Sequence, residues 1–213
     1  MRRLPIYLLL DVSGSMTGPP LQFVETGFAT LLKALKKDPQ AVEMAYLSLI
    51  TFESAAKQVF PLTEVISVQP QKFTAGGGTS LGAALNLALT CANNEVVKNT
   101  PAAKGDFKPL IFIMTDGMPT DDIHARLRAF KSYNWGTIVA CAAGEDADVD
   151  VLTEIAGENV LILKACDERS MAAFFKFLST SIVATSKRVD LEKTSNNLAD
   201  LGPLPPEISL LKS

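Results

Sequence analysis

Two segments of the chain are apolar without interruption, residues 5–10 (PIYLLL) and 110–114 (LIFIM). A strand with no polar face belongs inside a parallel sheet, covered on both sides. Elsewhere the apolar positions change period. Val24, Phe28, Leu31, Leu32 and Leu35 fall at i, i+4, i+7, i+8 and i+11, which predicts a helix ending at Lys36-Lys37-Asp38-Pro39. Residues 42–52 (VEMAYLSLITF) predict a long strand, and residues 57–62 a second one after only Glu53–Ala56. Four residues cannot hold a crossover helix, so these two strands should pair antiparallel, with the second at a sheet edge.

Leu81, Leu85 and Leu89, with Ala84, Ala88 and Ala92, predict a helix that Ser80 would cap. A helix carrying Ile123, Leu127 and Phe130, a strand at 137–143, a short helix at 149–156 and a strand at 160–164 follow. A last helix packs Met171, Phe174, Phe175, Leu178 and Ile182. Strands alternating with helices predict the α/β class: a doubly wound, mostly parallel six-stranded sheet with one antiparallel edge strand and helices on both faces. That domain should occupy residues 1–184. Residues 185–213 are expected to be a tail, because 190–200 is polar and Leu201-Gly-Pro-Leu-Pro-Pro cannot continue a helix. Leu201, Leu204, Ile208, Leu210 and Leu211 would let that tail dock on the domain or on a partner.

Composition narrows the function. The 213 residues are 47% hydrophobic and 20% charged with a net charge of −3, which gives no field for nucleic acid or an anionic membrane. Arg2 and Arg3 before an apolar run resemble the start of a signal peptide, but Pro5 and Asp11 bound the run and no cleavage site follows. No later run approaches the ~18–20 residues of a membrane span. The expected location is the cytoplasm. Cys91, Cys141 and Cys166 are an odd number in apolar settings, which suggests buried reduced thiols instead of disulfides or a zinc pair.

Both uninterrupted strands end in a carboxylate. The first delivers Asp11, Ser13 and Ser15 at alternate positions, the second delivers Thr115-Asp116-Gly117, and Gly76-Gly77-Gly78-Thr79-Ser80 enters a helix between them. Each alone is a commonplace turn or cap. In an open α/β sheet, however, ligands sit beyond the carboxyl ends of the strands, where all three segments converge. Hard oxygens of this kind suit Mg²⁺ or Mn²⁺ and do not suit Zn²⁺.

The combination of DxSxS, a distant Thr and a distant Asp resembles a von Willebrand factor A domain with a metal-ion-dependent adhesion site, over roughly residues 5–184. The resemblance implies that Asp11, Ser13, Ser15, Thr79 and Asp116 surround one divalent cation, Mg²⁺ or else Mn²⁺ or Ca²⁺. It implies direct bonds from Ser13 and Ser15, a direct or water-mediated bond from Thr79, and Asp11 and Asp116 often acting through water. The phrases DVSGSM, TFES, GGGTSLG and IMTDGMPTD are similar to the tellurium-resistance TerY-type bacterial proteins. That likeness implies a role in tellurite and chemical-stress response, with a protein kinase or phosphatase of the same system as partner.

If neutral hydroxyls fill the inner shell, the cation keeps much of its Lewis acidity and should seek a Glu or Asp side chain from a protein partner. The positive end of the helix after Thr79 would favour the same anion. Gly77 and Gly78 near the metal, and Leu201 and Leu204 in the tail, are the expected partner-facing positions. The expected function is therefore a non-enzymatic, cation-dependent interaction module. The rival is a Mg²⁺-dependent phosphatase of haloacid-dehalogenase type with Asp11 as nucleophile, helped by Asp116, Asp121 and Asp122. That chemistry wants a second acid two residues on, where this chain has Ser13. The sole histidine, His124, has no flanking nucleophile motif and reads as an exposed helix residue. Gly76–Gly78 lacks the Gly-Lys-Ser/Thr of a phosphate cradle, and Trp135 alone makes no stacking platform for nucleic acid.

Overall fold

A computed structural model describes residues 2–144, 146–190 and 203–211. Strand β1 (Leu4–Asp11) is buried at all eight positions, and its side chains divide by the two-residue period of a strand. Leu4, Ile6, Leu8 and Leu10 enter one core with helices α1 (Pro19–Leu35) and α6 (Glu168–Asp190). Tyr7 and Leu9 enter a second core with α3 (Leu81–Glu95), α4 (His124–Ser132) and α5 (Val149–Ala156). β4 (Leu110–Thr115) splits likewise, Phe112 and Met114 to the first core and Ile111 and Ile113 to the second. An apolar residue at every position is what a strand covered on both faces requires.

The doubly wound, mostly parallel sheet expected from the sequence is present, with a seventh strand. The remaining strands are β2 (Ala45–Phe52), β3 (Ala56–Glu64), β5 (Ile138–Ala143), β6 (Val160–Leu163) and β7 (Ile208–Leu210). Their order is β3-β2-β1-β4-β5-β6-β7. β3 pairs antiparallel with β2 at one edge, as a connection of only three residues requires, and β7 pairs antiparallel with β6 at the other. β1 and β4 are parallel neighbours from which the chain winds outward in opposite directions. Their carboxyl ends form the switch point.

Two local differences from the sequence reading have physical causes. Residues 39–44 form a short helix, α2 (Pro39–Met44), where the long strand was expected to begin. Asp38 accepts a hydrogen bond from the Ala41 amide at 3.0 Å and Pro39 stands at the first helical position, so one Asp-Pro pair ends α1 and starts α2. The second difference concerns residues beyond 184. α6 runs through that position to Asp190, and Ile208, 5% exposed, fills the core from β7. Leu204 packs, partly buried, against the same core, and Leu201 lies outside the described residues. Docking of this stretch is thus seen on its own sheet, where it covers the open edge of β6.

Candidate functional site

Backbone pairing brings the three segments together. Gly14 N–H donates to Gly77 O at 3.1 Å, and Gly76 N–H donates to Val12 O at 3.0 Å. These two bonds clip the loop after β1 to the glycine loop. Thr120 N–H donates to Thr79 O at 2.9 Å, while Thr79 N–H donates to Thr120 Oγ1 at 3.0 Å. This reciprocal pair clips the glycine loop to the segment after β4. The glycines are needed for close approach: Gly77 has φ +68°, and a Cβ at Gly78 would stand 2.8 Å from Thr120 Oγ1. Gly77 is exposed and Gly78 half-buried, so both line the rim where a partner was expected.

Four of the five expected ligands form two hydrogen-bonded runs. Asp11 is fully buried; its Oδ1 accepts from Ser13 N–H at 2.8 Å and its Oδ2 from the Thr115 hydroxyl. Ser13 Oγ lies 3.0 Å from Ser15 Oγ, which donates to Asp116 Oδ1 at 2.7 Å. The fifth, Thr79, is 5% exposed, and a Cβ on Gly117 would stand 3.4 Å from its hydroxyl. Thr79 therefore faces the loop that carries Asp116. Oxygens at adjacent vertices of a Mg²⁺ octahedron are roughly 2.9 Å apart, given bonds of about 2.0–2.1 Å. The spacing of the serine hydroxyls and Asp116 accommodates such an ion. Among the described residues no group of three or more His, Cys, Asp or Glu side chains could hold a metal, so any cation here depends on the hydroxyls.

The electrostatics also favour a cation. Burial pushes the Asp11 carboxyl above its ordinary range, opposed by the hydrogen bonds from Ser13 and Thr115 and reinforced by Asp116. Burial raises Asp116 in the same way, opposed by Ser15 and reinforced by Asp146. Among the described residues no Lys, Arg or His forms an ion pair with either. One fully buried and one half-buried carboxylate without a cationic partner among the described residues leave a site deficient in positive charge.

The helix after Thr79 behaves differently from expectation. Ser80 makes no capping bond and instead donates to Ser54 O at 3.0 Å. Asp121 takes its place: Oδ1 accepts from Gly82 N–H at 3.0 Å and Oδ2 from Ala83 N–H at 2.8 Å, with Arg126 paired to the same carboxylate. The positive end of α3 is therefore occupied by the chain's own carboxylate, and its field is not directed at an external anion. Asp121→Ala should destabilise the fold by roughly 1–2 kcal/mol, read by thermal unfolding, through two orphaned amides. Ser80→Ala should lose less. Thr115 and Thr120, which fix Asp11 and Thr79, had no mark in the sequence beyond their place in TDGMPT. His124 is exposed at the start of α4, and its amide donates to Asp122 Oδ1 at 3.0 Å, which leaves Asp122 as a local cap.

Fold and site together define a doubly wound α/β domain with a cluster of hydroxyl and carboxylate oxygens at its switch point. A family model described as the von Willebrand factor type A domain matches residues 6–177, and the chain belongs to that family. An uncharacterized protein of Synechocystis sp., sll0103, is 34% identical over 123 residues, covering 54% of this chain and 26% of that protein. Proximal thread matrix protein 1 of the mussel byssus, in a structure with its MIDAS motif occupied by zinc, superposes with a TM-score of 0.61 at 18% identity. That match covers 85% of this chain and 48% of the mussel chain. Manganese-loaded Plasmodium vivax TRAP protein gives 0.56 at 20% identity, covering 81% and 71%. The chain thus spans about a quarter of the cyanobacterial relative and about half of the mussel protein. Among the described residues no helix is long and apolar enough to cross a membrane.

Proposed function

We propose that this domain binds one divalent cation through Ser13, Ser15, Thr79, Asp11 and Asp116 and uses it to capture an acidic side chain of a partner protein. The observation that carries the reading is the pair of carboxylates, fully buried Asp11 and half-buried Asp116, set beside the Ser13 and Ser15 hydroxyls and without a cationic partner among the described residues. A bound ion would supply the missing positive charge and an open position for an external oxygen. Met118, 65% exposed two residues from Asp116, offers an adaptable apolar contact beside that position. Mg²⁺ is the proposed ion because it takes oxygen ligands and keeps part of its shell for others; the zinc and manganese forms of the similar structures support a divalent cation in general. The phrases shared with TerY-type proteins support a role in tellurite and chemical-stress response, in the cytoplasm, with a kinase or phosphatase of that system as partner.

The geometry does not favour a phosphatase. Both oxygens of Asp11 are engaged, one by Ser13 N–H and one by Thr115, and the side chain is fully buried, so it is poorly placed as a nucleophile. Partner titration in Mg²⁺ and in EDTA tests the proposal: partner affinity should fall at least tenfold in EDTA, and equal affinity would refute the metal bridge. The cation should also respond to pH. Both carboxyls titrate above their ordinary range, so protons compete with the metal at higher pH than for exposed carboxylates. In EDTA the folded carboxyls hold protons more tightly than the unfolded chain does, so these two groups stabilise the fold as pH falls through their raised range. With cation present, the same acidification releases the ion and lowers stability. Unfolding midpoints followed with and without Mn²⁺ should therefore converge as the solution is acidified.

A further inference from the structure

A second candidate site lies at the opposite end of the sheet. A cavity of about 650 Å³ opens where β1 and β4 begin, with Leu4 and Leu110 in its floor. Eight residues of strand separate Leu4 from Asp11, inclusive, which puts this cavity roughly 23 Å from the oxygen cluster. Its volume falls within the about 300–1,000 Å³ of small-molecule sites.

The charges lining it are one-sided. Arg2, Lys98 and Lys108 line it as cations, beside Lys104 and Arg188, which have interactions of their own, and Asp106 is the single carboxylate among the described lining residues. Asp106 is already committed: it pairs with Arg3 at 2.6 Å and accepts from Val97 N–H at 2.8 Å. Lys98 and Lys108 are exposed and form no ion pair among the described residues. Arg2 donates to Gly105 O at 2.8 Å and lies 3.8 Å over the Phe107 ring, so it is held in place by neutral groups and keeps its full charge. On a chain with a net charge of −3, such a concentration of positive charge is local, not a property of the whole surface.

A buried hydroxyl points the same way. Thr185 lines the cavity, is 8% exposed, and its buried Oγ1 has no hydrogen-bond partner among the described residues. A hydroxyl buried without a partner is costly, and buried polar groups in folded proteins normally have one. The rest of the lining includes the apolar and aromatic residues Val96, Tyr133 and Phe107, the last with its ring face under Arg2. We infer that this cavity binds a small organophosphate, its phosphates held by Arg2, Lys98 and Lys108, with a rotation of the Thr185 side chain bringing its hydroxyl to them, and its flat organic part laid against Val96 and Tyr133. Arginine and lysine together with a hydroxyl donor suit phosphate oxygens, and several cations suit more than one negative charge.

Trp135 provides a reporter. It is the single tryptophan, and its ring centroid lies 4.3 Å from that of Tyr133 in the cavity wall. The full chain is titrated in EDTA, so that no phosphate can bind through a metal at the other end of the sheet. ADP, pyrophosphate and adenosine serve as probes at constant ionic strength. ADP should produce a saturable change in Trp135 fluorescence, with pyrophosphate and adenosine each at least tenfold weaker. The double variant Lys98→Glu/Lys108→Glu, altered only at exposed positions, should weaken ADP at least tenfold with an unchanged melting temperature. Thr185→Val should weaken ADP about threefold or more without loss of stability, because no existing hydrogen bond is removed. Absence of saturation by ADP, unchanged ADP affinity in the double variant, or pyrophosphate binding as tightly as ADP would each overturn the inference.

Discussion

Asp116→Asn should weaken binding of a divalent cation by about 10- to 100-fold or more while leaving the metal-free fold at least as stable as before. The substitution keeps the size of the side chain and an acceptor for the Ser15 hydroxyl, which now lies 2.7 Å away. It removes the half-buried one of two mutually repelling negative charges that have no cationic partner among the described residues. In EDTA that repulsion disappears, so the melting temperature should hold or rise. With Mn²⁺ present, the wild type should gain stability in proportion to ion occupancy and the variant should gain little. Calorimetric titration with Mn²⁺ gives the affinity, and thermal unfolding in both conditions gives the stability. A variant that binds Mn²⁺ as tightly as the wild type would remove Asp116 from the site. One that melts far lower in EDTA would mean that the carboxylate serves the fold.

The second large effect concerns the interface between α1 and α6. Gly27 is buried there, and a Cβ at this position would stand 2.0 Å from Cδ2 and 2.6 Å from Cε2 of Phe175. Phe175 is itself fully buried and packs edge-on against Phe174 at 5.4 Å between centroids, so its ring has no free space to enter. Helix propensity alone would favour Gly27→Ala by about 1 kcal/mol. Overpacking of about 1–3 kcal/mol, at the upper end for so close an approach, should outweigh it. Gly27→Val adds two methyl groups and should lose more than Gly27→Ala. Gly27→Ala combined with Phe175→Leu should be less destabilised than the sum of the single variants, because each change relieves the other. Strict additivity in chemical denaturation would show that the helices simply move apart.

The parts of the fold legible in the sequence were those with a local cause. β1 and β4 are apolar up to their last residue because both faces are covered, and the three residues between β2 and β3 permit nothing except a hairpin. The oxygen cluster was legible because Asp11 and Asp116 each end such a strand. α2 was not, since Val42 and Met44 read as strand formers and Asp38-Pro39 reads as a stop, although the same pair caps a new helix. β7 has three residues and acquires its meaning only from pairing with β6. The cap on α3 is supplied by Asp121, 39 positions beyond Gly82, while Ser80 stood in the ordinary place for it. Contacts of that range leave no periodicity or spacing in the chain. The same holds for the cavity at the other end of the sheet, which assembles Arg2, Lys98, Lys108 and Thr185 from four separate stretches.

Closure of the β6 edge by β7 has a consequence for biosynthesis. Leu163 ends β6, and Leu210, which pairs with Leu161, is made 47 residues after Leu163 (210 − 163). At about 5–20 residues per second, translation leaves that edge uncovered for roughly 2–9 seconds. Through that interval the nascent domain presents an unpaired strand of a parallel sheet to neighbouring chains, and crowded polysomes are where it would be captured.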